Sequence, residues 1–147
     1  MAIDAVAVLG AVKTGLESLA LFSEVTIGLP SSSAGAQMMA NLFFMPTTVR
    51  QPTTERYELE YEVVVEMNYR TDGNVEGAEL SLTNAYTAAL DYFEHHKSLG
   101  GLVREIQPGG PAAHPDYRPL AGEEQRVLPL FLKCVQRGDF PAIQPSI

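Results

Sequence analysis

The sequence contains a single cysteine, Cys134, so the chain cannot form an internal disulfide bond. Folding therefore does not require an oxidising compartment, and the cytoplasm is the expected place of folding. Basic residues are also scarce, because ten Lys and Arg stand against eighteen Asp and Glu, which gives a net charge of −8. That charge repels nucleic-acid phosphate and disfavours tight binding of DNA or RNA.

Long apolar runs are absent as well. The N-terminal run from Ala5 to Val12 ends at Lys13 and follows Asp4, where a signal peptide would carry positive charge. We therefore expect neither an export signal nor a membrane span. Hydrophobic residues still make up 46% of the 147 residues. This is enough to bury one core, so a single domain over residues 1–147 is expected.

Two segments carry apolar residues at helical spacing. The first runs from Ala5 to Leu19, and Asp4 is placed to cap its start. The second runs from about Ala78 to Lys97 and is followed by a glycine stop at residues 99–101. Both patterns predict amphipathic helices with one face on a core.

Proline, serine and glycine are concentrated in three segments of the chain. These segments predict mobile loops at about residues 28–41, 46–55 and 108–122. Two short apolar runs, Val25–Leu29 and Leu42–Met45, lie among the first two of them and predict short strands.

The segment from Arg56 to Arg70 gives the clearest pattern in the sequence, because apolar residues alternate with mainly acidic ones. This period of two predicts a strand with one face on the core. An extended segment of this length spans roughly 50 Å at about 3.3 Å per residue, whereas a compact domain of this size is about 40 Å across. The strand is therefore expected either to bend or to project.

Two more strands are predicted, at Leu102–Gln107 and Glu124–Arg137. The second has apolar residues on both faces, as expected for a strand that is covered on both sides. Pro129 within it predicts a β-bulge or an edge position. The order of elements predicts an α+β fold, with a mixed, mainly antiparallel sheet whose long strands are packed by two helices.

Histidines at the end of the second predicted helix are the first candidates for a metal site. Asp91 and His95 have the i,i+4 spacing that lets two side chains reach one metal ion. No third ligand stands at a comparable distance, and both His95 and His96 would also complement the helix dipole. His114 lies in a Pro-Gly-rich segment and is expected to be exposed. We therefore predict no metal site.

Other candidate chemistry is equally weak. Cys134 lies in a two-sided apolar strand, so it is predicted to be a buried small hydrophobe and not a nucleophile. The glycine pairs at residues 100–101 and 109–110 lack the Lys and Ser/Thr of a phosphate-binding loop. The sequence thus predicts no catalytic residue and no cofactor, and we expect that the protein is not an enzyme.

Four glutamates lie on the polar face of the longest alternating segment: Glu58, Glu60, Glu62 and Glu66. Paired carboxylates could serve acid–base chemistry or bind Ca²⁺. Spacing along a strand separates them by about 6.6–7 Å per pair instead of converging them on one point. The acidic stripe is therefore predicted to be a solvated face or a negatively charged wall.

Charge is unevenly distributed along the chain. Residues 55–79 hold eight acidic side chains and two arginines, whereas basic residues exceed acidic ones over residues 97–137. Opposite patches suit head-to-tail contact between copies, although they could equally neutralise each other within one chain. The candidate basic contact residues are Arg104, Arg118, Arg126 and Arg137.

The layout resembles the tail-terminator and head–tail joining proteins of long-tailed bacteriophages. In that family an N-terminal helix is followed by strands with a loop, and a second helix stands between long strands. The resemblance is one of architecture and covers most of the chain, without a signature motif. The matching stretches are Ala5–Leu19, Tyr57–Tyr69, Leu82–Phe93 with residues 99–101, and Val127–Gln136.

The resemblance implies a structural virion protein that forms a ring, expected to be a hexamer, on the tail tube. Such a ring ends polymerisation of the tube and joins it to the head-side connector, while DNA passes through the lumen without specific binding. Assembly would take place in the host cytoplasm, and the acidic stripe would be a candidate lumen lining. The apolar segment of residues 38–45 would suit contact with a neighbouring subunit or the tube, through Met38, Met39, Phe43, Phe44 and Met45.

Two other hypotheses remain open. The chain could be a different neck or tail-tube component, or a small bacterial α+β module that binds a ligand or a peptide. Because a ring subunit self-associates, the mass of the purified protein in solution distinguishes the binding module from the assembly proteins.

Overall fold

A computed structural model describes residues 3–29, 37–51, 56–109, 116–120 and 123–139. The protein has an α+β fold in which two helices pack against a mixed, mostly antiparallel sheet. The elements in chain order are α1 (Ala5–Ser18), β1 (Glu24–Ile27), β2 (Met38–Arg50), β3 (Arg56–Arg70), α2 (Val75–His95), β4 (Ile106–Gly109), β5 (Asp116–Leu120) and β6 (Glu123–Asp139).

The strands of the sheet lie in the order β1-β2-β3-β6-β4, and β5 also pairs with β6. Among the described strands, only β1 and β2 pair in parallel. Because β3 occupies one side of β6, strands β4 and β5 share its other side at different positions along the strand. The predicted fold class is confirmed, and the longest strands lie at the centre of the sheet.

The β3–β6 ladder extends over the full length of β3, from the pair Arg56 and Asp139 to the pair Arg70 and Gln125. On its other side, β3 pairs with β2 over most of its length. The long alternating segment is therefore paired on both sides and does not project as a free arm. Its bounds agree with the predicted ones.

The core lies between the helices and one face of the sheet. Alternate side chains of β3, from Tyr61 to Met67, are completely buried there, as the alternation predicts. Helix α1 contributes Val8, Val12 and Leu16, which recur at helical spacing. The Tyr61 hydroxyl donates a hydrogen bond to Gln136 Oε1 at 2.8 Å. Burial raises the pKa of Tyr61, so this phenol stays a donor.

Side-chain caps define where both helices begin. The Asp4 carboxylate accepts a hydrogen bond from the Ala7 amide at 2.9 Å, and Asn74 accepts one from the Gly77 amide at the same distance. Because Asn74 supplies this cap, α2 begins at Val75, earlier than the predicted start at Ala78. It ends at His95, two residues before the predicted end.

Two predicted loops are partly wrong, because residues 38–41 and 46–50 belong to β2. Pairing with β3 extends the strand far beyond the predicted run at 42–45. Pro46 lies at a register shift in this pairing, where a residue without an amide hydrogen is tolerated. Of the other residues in these two predicted loops, 28–29 follow β1, and 37 and 51 flank β2, while 30–36 and 52–55 lie outside the described residues.

The region after α2 also differs from the prediction. Leu99, Gly100 and Gly101 adopt positive φ angles, and the Val103 amide donates to the Ser98 carbonyl, so these residues form consecutive turns. Strand β4 therefore begins at Ile106 instead of Leu102. Residues 108–109 and 116–120, predicted as loop, are in strands β4 and β5, while 110–115 and 121–122 lie outside the described residues.

Pro129 causes no bulge in β6, since the β3–β6 register runs without a shift through the pair Glu66 and Pro129. Strand β4 pairs with residues 131–134 and β5 with residues 123–127. Between these two pairings, no described strand covers the second side of β6. Pro129 lies in this gap, and the predicted bulge is absent from the β3–β6 pairing.

Two glycines of α1 make a matched test of helix packing. An added Cβ at Gly15 would lie 2.5 Å from Tyr92 Cε1, and Tyr92 is stacked on His96 at 4.1 Å between ring centroids. Gly15→Ala should therefore destabilise the protein by about 1–3 kcal/mol through overpacking. At Gly10 an added Cβ meets no other described element within 4 Å, so Gly10→Ala should stabilise by about 0.5–1 kcal/mol through helix propensity.

Urea unfolding of both variants measures these opposite signs. Equal effects of the two substitutions would contradict the close packing of α1 on α2.

Candidate functional site

The sheet face opposite the helices carries the acidic stripe. Glu58, Glu60, Glu62 and Glu66 alternate with core residues of β3, so they face away from the core as predicted. They are only partly exposed, because side chains of β2 and β6 flank them. The side chains of Glu58 and Glu60 are 13% and 16% exposed. The stripe is therefore a half-buried row in the middle of the sheet.

Two arginines of the neighbouring strands form ion pairs with this row. Arg137 Nε on β6 donates to Glu58 Oε2 at 2.8 Å, and Arg50 Nη2 on β2 lies 3.7 Å from Glu60 Oε1. Lys133 stands directly opposite Glu62 in the β3–β6 register. The carboxylates thus belong to a mixed-charge face, and they do not form a uniformly negative wall.

A polar groove crosses the same face where β3, β6 and β4 meet. It has a volume of about 310 Å³, and an adjoining hollow of about 190 Å³ shares Gln107 and Lys133 with it. The hollow adds Phe131 to the lining as an apolar floor. The polar groove is lined by Glu58, Arg104, Glu105, Gln107, Lys133, Val135 and Arg137.

Two cations of the polar groove have no anionic partner among the described residues. Arg137 is paired with Glu58, and Glu105 lies 3.9 Å from Lys97. Arg104 and Lys133, both exposed, form no ion pair within the described part of the chain. The groove therefore presents free positive charge on a protein whose net charge is −8, which suits a carboxylate or another anion.

The prediction that Arg126 is a basic contact residue is wrong, because its side chain is not accessible. It is only 8% exposed, because its side chain lies on the helix side of the sheet against α2. Arg137 is exposed but already bound to Glu58. Arg104 is exposed and lines the polar groove, and the side chain of Arg118 lies outside the described part of the structure.

Arg126 belongs to a cluster that joins α2, β5 and β6. Arg126 Nε and the Tyr117 hydroxyl both donate to Glu79 Oε1, at 2.5 and 2.7 Å, and the guanidinium lies 5.6 Å from the Tyr117 ring centroid. These hydrogen bonds lower the pKa of the Glu79 carboxyl, and the same carboxylate raises the pKa of Tyr117. The cluster fixes β5 to the helix, so it is structural.

Ion pairs such as Arg126–Glu79 and Arg137–Glu58 join the acidic and the basic segments of the sequence within one chain. This is the intramolecular neutralisation that the charge distribution left open. Charged residues outside these pairs remain available for contact between copies, and they include Arg104 and Lys133.

The apolar segment at residues 38–45 is buried in its first half. Met38 and Met39 are buried, so neither is available as a predicted contact residue. Phe43 is partly buried, whereas Phe44 and Met45 are exposed on the outer part of β2. Beyond Leu42, no described strand covers the second side of β2.

The histidines at the end of α2 act on the helix itself. His95 Nδ1 lies 2.8 Å from the Asp91 carbonyl, and His96 Nδ1 lies 2.8 Å from the Tyr92 carbonyl. A carbonyl only accepts, so each Nδ1 carries a proton and is not free to bind a metal. Within the described residues, no three His, Cys, Asp or Glu side chains are grouped to hold a metal ion. His114 lies outside the described residues.

Cys134 is completely buried, in the core, and burial raises the pKa of its thiol to about 12. A thiol with this pKa is not a nucleophile at neutral pH. Neither helix among the described residues is long and apolar enough to cross a membrane.

Comparisons with known proteins place the chain in no family. No protein-family model matches the sequence, and a search of curated proteins found no match.

The Glu79 cluster makes stability depend on pH. The hydrogen bond from Arg126 holds the pKa of the Glu79 carboxyl below its usual value of 4.5, so the contribution of this carboxylate to stability is fully present above that pH and is lost as the pH falls through the folded pKa. Glu79→Gln should therefore destabilise the protein at pH 7, and the difference from the wild type should shrink below pH 4. Urea unfolding at pH 7 and pH 3.5 measures the difference in the free energy of unfolding between the two proteins. A difference that is the same at both pH values would contradict the assignment.

Proposed function

We propose that the protein is a structural virion component of a long-tailed phage, a tail terminator that forms a ring on the tail tube. The ring ends polymerisation of the tube, contacts the head-side connector, and lets DNA pass without gripping it. The chain assembles in the host cytoplasm and finally resides in the virion tail. A hexamer is the expected ring size.

The order and lengths of the elements carry this proposal. A first helix, strands, one long strand, a second helix and a closing long strand follow one another as the resemblance requires, and α2 stands between β3 and β6. Likeness of architecture supports a shared role only by analogy. The role itself therefore depends on the experiment below.

The chemistry of the described residues favours assembly over catalysis. Several carboxylates are held by cross-strand or helix–strand ion pairs, and the one thiol is buried with a raised pKa. The polar groove does bring titratable groups together, but its carboxylate Glu58 is bound to Arg137 and Glu105 lies 3.9 Å from Lys97. Phe44 and Met45, which are exposed where no described strand covers the second side of β2, suit contact with another protein.

The mixed-charge face bears on the passage of DNA. Arg137 and Arg50 neutralise part of the acidic stripe, so a lumen lined by this face would be only weakly repulsive to phosphate. The net charge of −8 still opposes tight DNA binding by the protein as a whole. The stripe alone therefore does not define the lumen.

A small ligand-binding or peptide-binding module is the second candidate. The observation in its favour is the polar groove, whose volume of about 310 Å³ is at the lower end of ligand sites. A module of this kind would remain a single 16.0 kDa species at high concentration. A different neck or tail-tube component would self-associate without ending tube growth.

The decisive assay is growth of tail tubes from the tube protein encoded in the same genome. Added at substoichiometric amounts, the chain should stop elongation and leave a ring at one tube end in negative-stain images. An unrelated acidic protein of similar mass serves as the control. Tubes that elongate to the same length with and without the chain would contradict the terminator role.

A further inference from the structure

We propose that the polar groove receives the N-terminal end of α2 from a second copy of the chain, with Lys133 and Arg104 facing Glu76. This inference rests on the proposed function, because it assigns the surfaces through which neighbouring subunits of the ring meet. The occupant is a second copy, and the contact is head-to-tail.

The polar groove supplies the basic side of the contact. Arg104 and Lys133 are exposed and form no ion pair among the described residues, although a carboxylate stands near each of them in the groove. The lining also offers apolar surface through Val135 and, in the adjoining hollow, Phe131. A partner with a carboxylate beside apolar side chains matches both features.

The first turns of α2 carry such a surface. Glu76 is exposed and forms no ion pair with any described residue. Leu80, four residues after Glu76 and thus on the same helix face, is 65% exposed. Glu76 and Leu80 form what we call the α2 patch, an acidic and apolar complement to the groove.

The α2 patch and the polar groove cannot meet within one chain. Lys97, just beyond the C-terminal end of α2, lies 3.9 Å from the groove residue Glu105. Glu76 is at the other end of the helix, about 28 Å away at roughly 1.5 Å per residue. The groove also lies on the sheet face opposite the helices.

The free charge on each surface is therefore available to another copy. A contact that joins two different surfaces is heterologous, so repetition gives a ring if the rotation closes. This is the symmetry that a tube-capping ring requires. An isologous dimer would instead place the same patch on both sides of the interface.

Charge reversal of the full-length chain tests the contact, with association measured by sedimentation velocity over a range of concentrations. Lys133→Glu and Glu76→Lys should each weaken self-association by about tenfold, and the double variant should recover to within about threefold of wild type. Lys13→Glu and Glu17→Lys are the matched controls. They make the same charge changes on α1, at residues without an ion pair among the described ones.

The controls separate this contact from general charge effects. Lowering the net negative charge reduces repulsion between copies, so Glu17→Lys should leave association unchanged or strengthen it, whereas Glu76→Lys should weaken it. The proposal is overturned if the two lysine variants behave alike, if the double variant shows no recovery, or if the wild type stays monomeric at every concentration. Tube growth tests the terminator role separately, so that role stands if tubes are capped although this contact fails.

Discussion

Pairing of β3 with β6 is the constraint on which the rest of the structure depends. Its register places Tyr61 and the alternate residues that follow it toward the helices, together with Leu132 and Cys134 of β6. The same register places Glu58 beside Arg137 on the opposite face. A slip of one residue would send every one of these side chains to the wrong face, so the core and the charged face are specified together.

This ladder also determines which charges remain for other molecules. Acidic and basic segments that are far apart in sequence meet across β3 and β6, and a second pair joins Glu79 of α2 to Arg126. These pairs therefore also determine which charges remain at the surface. Among the charges that no described residue pairs are Lys133 in the polar groove and Glu76 at the start of α2, which lie far apart. A head-to-tail assembly uses both.

Sequence patterns predicted those elements whose helical spacing, alternation or cap residue lies within a single segment of the chain. Alternation gave the bounds of β3, and Asp4 correctly marks the start of α1. The extent of β2 could not be predicted, because pairing with β3 overrides the breaking tendency of Pro46. The polar groove was also missed, since it joins residues of three strands whose proximity depends on register. The burial of Arg126 against α2 also depends on strand register, so no pattern in the residues around Arg126 predicts it.

Hydrogen exchange of the native protein, resolved by residue, tests most directly whether the β3–β6 ladder is the frame of this fold. If it is, the amides in the middle of β3 and β6 open only in global unfolding and exchange last, while those of β1, β4 and β5 exchange earlier through local opening. Addition of urea should then bring the slow amides of β3 and β6 together into one unfolding event. Slower exchange in α2 than in β3, or loss of β6 protection while β3 stays closed, would contradict the account.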